Sequence, residues 1–313
     1  MSRDRACVCG IRLEADFLLH QDLPFDGEPD VTITSVRQVS REDGPGTVMA
    51  HFATDEPWYT LTRYASGYLF EVHGVCDYWI SLDTAEVQIA MAPEADGAMA
   101  AVMSTATLPA LLSQLRGHPT LHASAVDVGG LALAFVGHSG QGKSTCASLM
   151  CAHGARLLTD DVLRIDVDDH HAMAHPASTE LRLRSGIDTL KDLLRDSSTF
   201  RTSVDGRDVV SPLCAGPARV EVAAIVVPFA SREHTDLVAE RLRPVDALLT
   251  LMSYPRIMGW SDPQIRSAML THARSVAEVV PVFAARIPWG AHLTEEVASG
   301  LRDLCDGNVR FPR

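Results

Sequence analysis

The sequence lacks a long apolar run. No stretch approaches the roughly 18 apolar residues of a membrane-spanning helix. The opening segment, MSRDRACVCG, has no apolar stretch of signal-peptide length. We therefore expect a cytoplasmic protein with no membrane partner. Internal repeats and low-complexity segments are also missing, which argues against a repeat architecture.

Basic residues are in short supply. The chain has 27 Lys and Arg against 40 Asp and Glu, which gives a formal net charge of -13 and a pI of about 5.4. A surface with this balance repels a phosphate backbone, so we expect no nucleic-acid partner. A basic partner would suit such a surface, but the charge alone identifies none.

Cysteine pairs with the spacing of metal ligands are missing. The seven cysteines are scattered, and Cys7 and Cys9 have no second cysteine pair with which they could form a metal site. An odd number of scattered cysteines is typical of free thiols in a reducing compartment. We expect no metal site built from these cysteines.

The pattern that is present predicts two regions. A length of 313 residues corresponds to about two domains. Residues 30–36, 58–74, 78–82 and 86–92 alternate β-branched or aromatic residues with polar ones, which predicts strands, the second range being a hairpin. We predict a β-rich accessory or recognition domain over residues 1–115 and a catalytic domain over residues 116–313.

Helices and strands both follow this first region, so the predicted fold class is α/β. Residues 99–116 predict a helix that Pro109 kinks or divides. Two strands should flank the turn at Gly129 and Gly130, and a helix should end at Gly154. Residues 155–167 then predict a strand, an acidic turn and a strand. Beyond them, we predict strands at 219–229 and 281–288, and helices at 244–253, 263–280 and 293–305, the last capped by Thr294.

One loop carries a phosphate-binding motif. Residues 137–144 fit G-x-x-x-x-G-K-[ST], with an apolar strand before them and a helix after them. Its glycines allow backbone N–H groups to point at an anion, and the helix N-terminus adds a positive dipole. We expect ATP here, with Lys143 on its β- and γ-phosphates and Ser144 on Mg²⁺. The predicted nucleotide-binding residues are Gly137, His138, Ser139, Gly140, Gln141, Gly142, Lys143, Ser144 and Thr145.

Two adjacent carboxylates follow at the end of the next strand. Asp160 and Asp161 close the segment LLTDD, and a strand end beside a phosphate site gives carboxylates two uses. One can hold Mg²⁺ through water, and the other can accept the proton of an attacking hydroxyl. Repulsion between neighbouring carboxylates should raise one of the two pKa values. The alternative is an acidic turn without a catalytic role.

A histidine precedes the motif by one strand. His122, in the segment LHASAV, could approach the loop and orient one of the two carboxylates. An isolated histidine is more often a structural residue, so the hypothesis depends on its neighbours in the sequence.

Taken together, these residues resemble a known family. The segment LHASAVDVGGLALAFVGHSGQGKSTCASLMCAHGARLLTDDVLRI closely resembles the catalytic domain of HPr kinase/phosphorylase, over about 45 residues. In that family a histidine precedes a glycine-rich turn, a strand and a phosphate loop, and one helix later a strand ends in Asp-Asp. The resemblance implies a P-loop kinase domain of the HPr kinase and phosphoenolpyruvate carboxykinase type, here with a β-rich N-terminal domain.

The resemblance also implies a role for each residue. Lys143 would contact phosphates and Ser144 would ligate Mg²⁺. Asp161 would be the base toward a serine hydroxyl, supported by His122, and Asp160 would assist at the metal. A further family segment is echoed by ELRLRSGID, residues 180–188, which makes Glu180 a candidate second metal ligand.

The overall layout resembles kinase homologues from bacterial natural-product clusters. Similar proteins there phosphorylate a serine of a ribosomal precursor peptide, as in lasso-peptide tailoring. The expected function is therefore an ATP·Mg²⁺-dependent kinase acting on a serine of a peptide or small protein. A small-molecule kinase for a sugar or alcohol and a non-catalytic nucleotide-binding regulator remain alternatives, and a homo-oligomer stays open.

Three other segments allow more than one interpretation. Arg182, Arg184 and Arg207 could each stabilise the γ-phosphate, with Arg207 favoured because Gly206 precedes it. The histidine-rich segment 166–176 is better explained as a polar turn than as a metal site. The segment MSYPRIMGW, residues 252–260, is expected to pack in the core, with a lid or peptide-contact surface as the alternative.

Overall fold

The computed structural model describes residues 3–40, 42–183, 193–194, 198–202, 208–216, 218–288 and 294–306. Arg184 and Arg207, two of the arginines considered above, lie outside these residues. No helix in the described part of the chain combines the length and apolarity needed to span a bilayer.

The first part of the chain forms a sheet of eight strands. Their order in the sheet is β1-β2-β3-β8-β7-β6-β5-β4, with parallel pairing only at β2–β3 and β3–β8 among these strands. Alternating burial along each strand places one face on a core, as in CDYWIS of β7. The strands are β1 (Asp4–Val8), β2 (Ile11–Ala15), β3 (Val31–Ser35), β4 (Thr47–Ala53), β5 (Pro57–Arg63), β6 (Gly67–Val72), β7 (Cys76–Ser81) and β8 (Glu86–Met91).

The predicted helix over residues 99–116 is divided. Helix α1 (Met99–Thr105) and helix α2 (Thr107–Leu115) meet at Ala106, whose backbone departs from helical values. Pro109 lies in the first turn of α2, where a missing N–H group costs nothing. Pro109 therefore belongs to the start of a second segment, which was one of the two predicted outcomes.

The second part of the chain is a sheet of nine strands with helices on both faces. Its long strand β18 pairs in parallel with β11 on one side and with β20 on the other. The strands are β9 (Thr120–Leu121), β10 (Ala123–Val128), β11 (Leu131–Val136), β12 (Arg156–Thr159), β13 (Leu163–Val167), β14 (Ala172–Ala174), β18 (Val220–Ser231), β19 (Val238–Arg241) and β20 (Val282–Pro288); a separate three-stranded sheet contains β15 (Leu181–Leu183), β16 (Thr199–Thr202) and β17 (Asp208–Ser211).

Each face of the nine-stranded sheet has its own core. The helices are α3 (Lys143–Ala152), α4 (Pro244–Ser253), α5 (Pro263–Val279) and α6 (Glu295–Asp303). Leu133 and Phe135 of β11 face α3 and α6, whereas Ala132 and Ala134 face α4 and α5. Alternation along one strand thus fills both layers, which is why LALAFV is apolar at almost every position.

A third core joins the two parts of the chain. It contains the buried face of the first sheet together with Leu108 and Leu111 of α2, and also Val162, Ile257 and Trp260 from the second part. The α/β class is confirmed, with several sheets. The division at residue 115 and the assignment to a kinase domain stay predictions.

Candidate active site

The motif loop connects a buried strand to a helix. Residues 137–142 leave β11 at Val136, and α3 begins at Lys143. Gly140 and Gly142 have φ values of 84° and 99°, which disfavour any residue with a Cβ atom. The tip of the loop, from His138 to Gly140, is exposed, while Lys143 and Thr145 are buried below it. An exposed tight turn that leads into a helix N-terminus is the geometry that suits an anion.

The side chain of Lys143 folds back under this loop. Its Nζ donates to the carbonyl oxygens of Gly137, at 2.9 Å, and His138, at 3.0 Å. Gln141 closes the loop from the other side, since its Oε1 accepts from the backbone N–H of His138 at 2.8 Å. The ammonium group is therefore held at the loop, where a bound phosphate would compete with these carbonyl oxygens for it.

Asp160 connects the end of β12 to the start of α3. Its Oδ1 accepts hydrogen bonds from the hydroxyl groups of Ser144, at 2.9 Å, and Ser124, at 2.5 Å. Its Oδ2 accepts from the backbone N–H of Arg182 at 3.1 Å. The two residues predicted to serve Mg²⁺, Ser144 and Asp160, thus lie in direct contact, and Ser124 is a partner that the sequence did not reveal.

Asp161 is held between the side chains of a histidine and an arginine. Its Oδ1 is 3.2 Å from His122 Nε2, and its Oδ2 accepts from Arg256 Nη2 at 2.8 Å. The side chain is 40% exposed, so a second molecule can reach the carboxylate. Its φ of 77° is rare for a residue with a side chain, and such outliers concentrate at functional sites.

The environment of Asp161 lowers its pKa. Burial acts to raise the pKa, but the positive charge of Arg256 and the hydrogen bond and charge of His122 outweigh it. The pKa is held well below its usual range. The expectation that carboxylate repulsion raises a pKa is therefore wrong for Asp161, because its nearest charged partners are cations.

His122 links the loop to the segment between α4 and α5. Its backbone N–H donates to the carbonyl oxygen of Tyr254 at 2.8 Å, and its own carbonyl accepts from Gly137 N–H at 3.4 Å. The ring of Tyr254 meets the ring of His138 edge-on, with centroids 4.8 Å apart. The predicted approach of His122 to the loop and to Asp161 is therefore present in the fold.

Arg256 is the residue that the sequence did not identify. Besides Asp161, its Nη2 contacts Thr107 Oγ1 at 3.1 Å, and its backbone N–H donates to Thr120 at 2.9 Å. Arg256 lies in the segment MSYPRIMGW, whose aromatic residues and methionines suggested core packing or a contact surface. An arginine 95 residues away from its partner leaves no local pattern.

Glu180 has a different partner from the one expected. Its buried carboxylate is paired with Arg201, whose Nη2 lies 2.7 Å from Oε2 and 2.8 Å from Oε1. No described contact joins it to Ser144 or Asp160. No group of three or more His, Cys, Asp or Glu side chains suited to a metal occurs among the described residues. Mg²⁺ commonly needs only one or two protein carboxylates beside substrate phosphates, and the oxygen donors of Ser144 and Asp160 are of the type it prefers.

Comparison with known proteins gives a distant likeness among solved structures. No family model matches the chain, and no curated protein matches it. Among solved structures, the chain is similar to the Hpr(Ser) kinase/phosphatase from Coxiella burnetii, with 13% sequence identity and a TM-score of 0.32. The match covers 59% of this chain and 94% of that one. A likeness this weak is compatible with a distantly related fold.

Proposed function

We propose that this protein is an ATP·Mg²⁺-dependent kinase that transfers the γ-phosphoryl group to a serine hydroxyl of a peptide or small protein. A ribosomal natural-product precursor peptide is the favoured acceptor. The observation that carries the proposal is the arrangement around Asp160 and Asp161. One carboxylate contacts the motif serine, and the other is oriented by His122 and Arg256 while staying accessible.

The motif loop would bind the nucleotide. Its backbone N–H groups and the ammonium group of Lys143, which lies at the loop, would donate to phosphate oxygens. Ser144 and Asp160 would hold Mg²⁺, which when bound supplies positive charge beside the transferring phosphoryl group. Both side chains offer hard oxygen donors, and they already lie 2.9 Å apart.

Asp161 would act on the acceptor. As the serine oxygen bonds to the γ-phosphorus, the bond between that phosphorus and the bridging oxygen breaks, and its electron pair leaves with ADP. The serine proton passes to Asp161. Because a serine hydroxyl ionises only far above neutral pH, the proton leaves as attack proceeds, and a fixed carboxylate in hydrogen-bond reach is what the step needs.

The low pKa of Asp161 keeps the carboxylate ionised, as a base must be, but also makes it a weak base. The carboxylate is ionised throughout the neutral range, so it is always ready to accept a proton. It is also a weak base, which makes its orientation by His122 and Arg256 the main contribution. Exposure of 40% leaves the carboxylate accessible to an acceptor.

The decisive experiment is mass spectrometry after incubation with ATP and Mg²⁺. One pool contains serine peptides, and a second contains sugars and alcohols. A phosphate-sized mass gain on the serine of peptides supports the proposal. Gain confined to the second pool would replace it with a small-molecule kinase. Nucleotide binding without transfer in either pool would replace it with a nucleotide-binding regulator.

A further inference from the structure

We propose that an apolar groove beside the candidate active site binds the acceptor peptide and selects a segment with a large apolar side chain next to a carboxylate. This inference rests on the proposed function, since it names the acceptor class for the same site. The groove encloses about 510 Å³ between the segment that connects α4 to α5 and α5 itself. Its wall includes Met252, Met258, Trp260, Arg266, Met269 and Leu270.

The groove is next to residues of the candidate active site along the chain. Pro255 lines it and forms a bridge with Leu121, the residue before His122. The neighbours of Pro255 are Tyr254, which accepts from His122 N–H, and Arg256, which binds Asp161. The segment that lines the groove thus also carries Arg256, which contacts the candidate base.

The lining suits an apolar side chain. Three methionines line it, and flexible thioethers adapt to side chains of different shape. Leu270 is 50% exposed on the helix that forms one wall, so a bound apolar group would remove its surface from water. The indole N–H of Trp260 is satisfied by the carbonyl of Ile257 at 3.0 Å, which leaves the ring as an apolar surface.

The charge at the groove favours an acidic neighbour in the peptide. Arg266 is exposed at the groove, and no ion pair joins it to any residue that the structure describes. The same helix carries Arg274, which is paired with Glu278 at 2.7 Å. In a chain of net charge -13, an unpaired arginine on an apolar groove attracts a carboxylate and gives a peptide one orientation.

The wall of the groove is fixed by the first sheet. The hydroxyl group of Tyr59, on β5, accepts from Met258 N–H at 2.7 Å and donates to Met258 O at 3.1 Å. Next to it, His51 N–H of β4 donates to Gly259 O at 3.0 Å. A wall held in this way exists before a peptide binds, which lowers the entropic cost of binding. The first sheet thereby gains a part in acceptor recognition.

The test is an array of synthetic peptides, each with one serine. The residues around the serine are varied between apolar and polar, and between acidic and basic. Binding of the labelled protein without ATP is scored first, and phosphate transfer with labelled ATP is scored on the same array. The variants are Arg266→Glu and Leu270→Asp. Arg274→Glu is the matched control, because it reverses an exposed charge on the same helix outside the groove.

Wild type and Arg274→Glu should both prefer peptides that combine an apolar residue with an acidic one. Arg266→Glu should shift the ratio of acidic to basic peptides bound by about fivefold toward basic, the scale of an exposed ion pair counted twice. Leu270→Asp should weaken binding of apolar peptides about tenfold. Binding with these shifts but without phosphate transfer would support the groove and contradict the proposed kinase.

Other results would overturn the groove. Phosphate transfer with sequence preferences unchanged in both variants would leave the kinase in place and remove the groove from acceptor binding. Absence of peptide binding by the folded protein would also remove the groove from acceptor binding. Self-association that Leu270→Asp abolishes, with no peptide bound, would assign the groove to a second copy of the chain.

Discussion

At the scale of single residues, Asp161 concentrates the chemistry of the candidate site. It combines a left-handed backbone with contacts to His122 and Arg256, and neither feature is needed for a simple turn. Asp160, one residue earlier, instead accepts from two hydroxyl groups and a backbone N–H. Two neighbouring carboxylates thus receive different environments, which is how adjacent acids take different roles.

Asp161→Asn should separate binding from transfer. The amide keeps the shape of the side chain but cannot accept the serine proton. We expect ATP affinity close to that of wild type and phosphotransfer slower by roughly 10²- to 10⁴-fold, the usual contribution of a general base. Nucleotide titration and single-turnover transfer measure the two effects. Wild-type turnover in this variant would move the role of base to Asp160.

Arg256→Met should change the pH dependence of transfer. Arg256 lowers the pKa of Asp161, so its removal should raise that pKa. Transfer requires the carboxylate form and is lost as pH falls through the pKa, so the acid limb of the kcat profile should move to higher pH. Arg256→Lys keeps a positive charge and should move it less. An acid limb at the same pH in all three proteins would show that Arg256 has only a structural role.

At the scale of elements, the loop between β11 and α3 makes a separate prediction. Lys143→Ala removes the ammonium group that lies at the loop, and with it most of the affinity for the γ-phosphate. Millimolar ATP with Mg²⁺ should raise the melting temperature of wild type and leave that of the variant nearly unchanged. A wild-type melting temperature that does not respond to ATP would contradict nucleotide binding at this loop.

The edge of the first sheet also depends on one glycine. Gly259, at a φ of 74°, lies so close to β4 that an added Cβ atom would meet His51 O at 1.9 Å. Gly259→Ala should therefore displace the segment that carries Arg256 and Met258, destabilise the fold by about 2 kcal/mol or more, and slow transfer. Denaturant unfolding and the transfer assay provide the measurements.

Gly74→Ala is the matched control for this substitution. Gly74 has a φ of 73°, but an added Cβ atom there would meet nothing within 4 Å. It therefore carries the backbone strain alone and should cost about 1 kcal/mol. Equal losses of stability in the two variants would show that the contact with β4 is unimportant.

Turns and helix ends could be predicted from the sequence where a glycine or proline marks them locally. The turn at Gly129 and Gly130 and the helix end at Gly154 follow from glycines that accept a positive φ, and the divided helix follows from Pro109, which restricts the backbone. The hydrogen bonds of Ser124 to Asp160 and of Tyr59 to Met258 leave no such mark. They depend on how distant strands come together, which one sequence does not encode in any short pattern.

At the scale of the whole molecule, a histidine cluster near the junction of the two parts should set the response to pH. Asp166, on β13, accepts from His175 at 2.7 Å and from Arg164 at 2.8 Å, and Arg164 also reaches Cys9 O in the first part at 3.2 Å. Nearby, burial lowers the pKa values of His118 and His272. Asp166 and His175 belong to the segment 166–176, which was expected to be a polar turn, and the contact of Arg164 with Cys9 joins the two parts of the chain.

Acidification should destabilise the protein through these two histidines. Both histidines should have a pKa of about 6.5 in the unfolded chain and a lower pKa in the folded one. Between those values the unfolded state binds more protons, so the melting temperature should fall as pH drops from 7 toward 5. The raised pKa of His171, beside Glu221, acts in the opposite direction but belongs to an exposed pair of small effect. The pKa of Asp166 is lowered, so protonation of this carboxylate destabilises the protein only at a pH below the usual pKa range of a carboxyl group.

His272→Gln tests this origin of the pH response. Glutamine can donate to Ile165 O, as His272 does at 2.7 Å, but it cannot take up a proton. The melting temperature of the variant should therefore fall less steeply between pH 7 and pH 5 than that of wild type. His170→Gln, at an exposed turn, controls for the loss of a histidine elsewhere. If His272→Gln and wild type lose stability in parallel over this range, the buried histidine does not link folding to pH, and the slope must come from other groups that join the two parts.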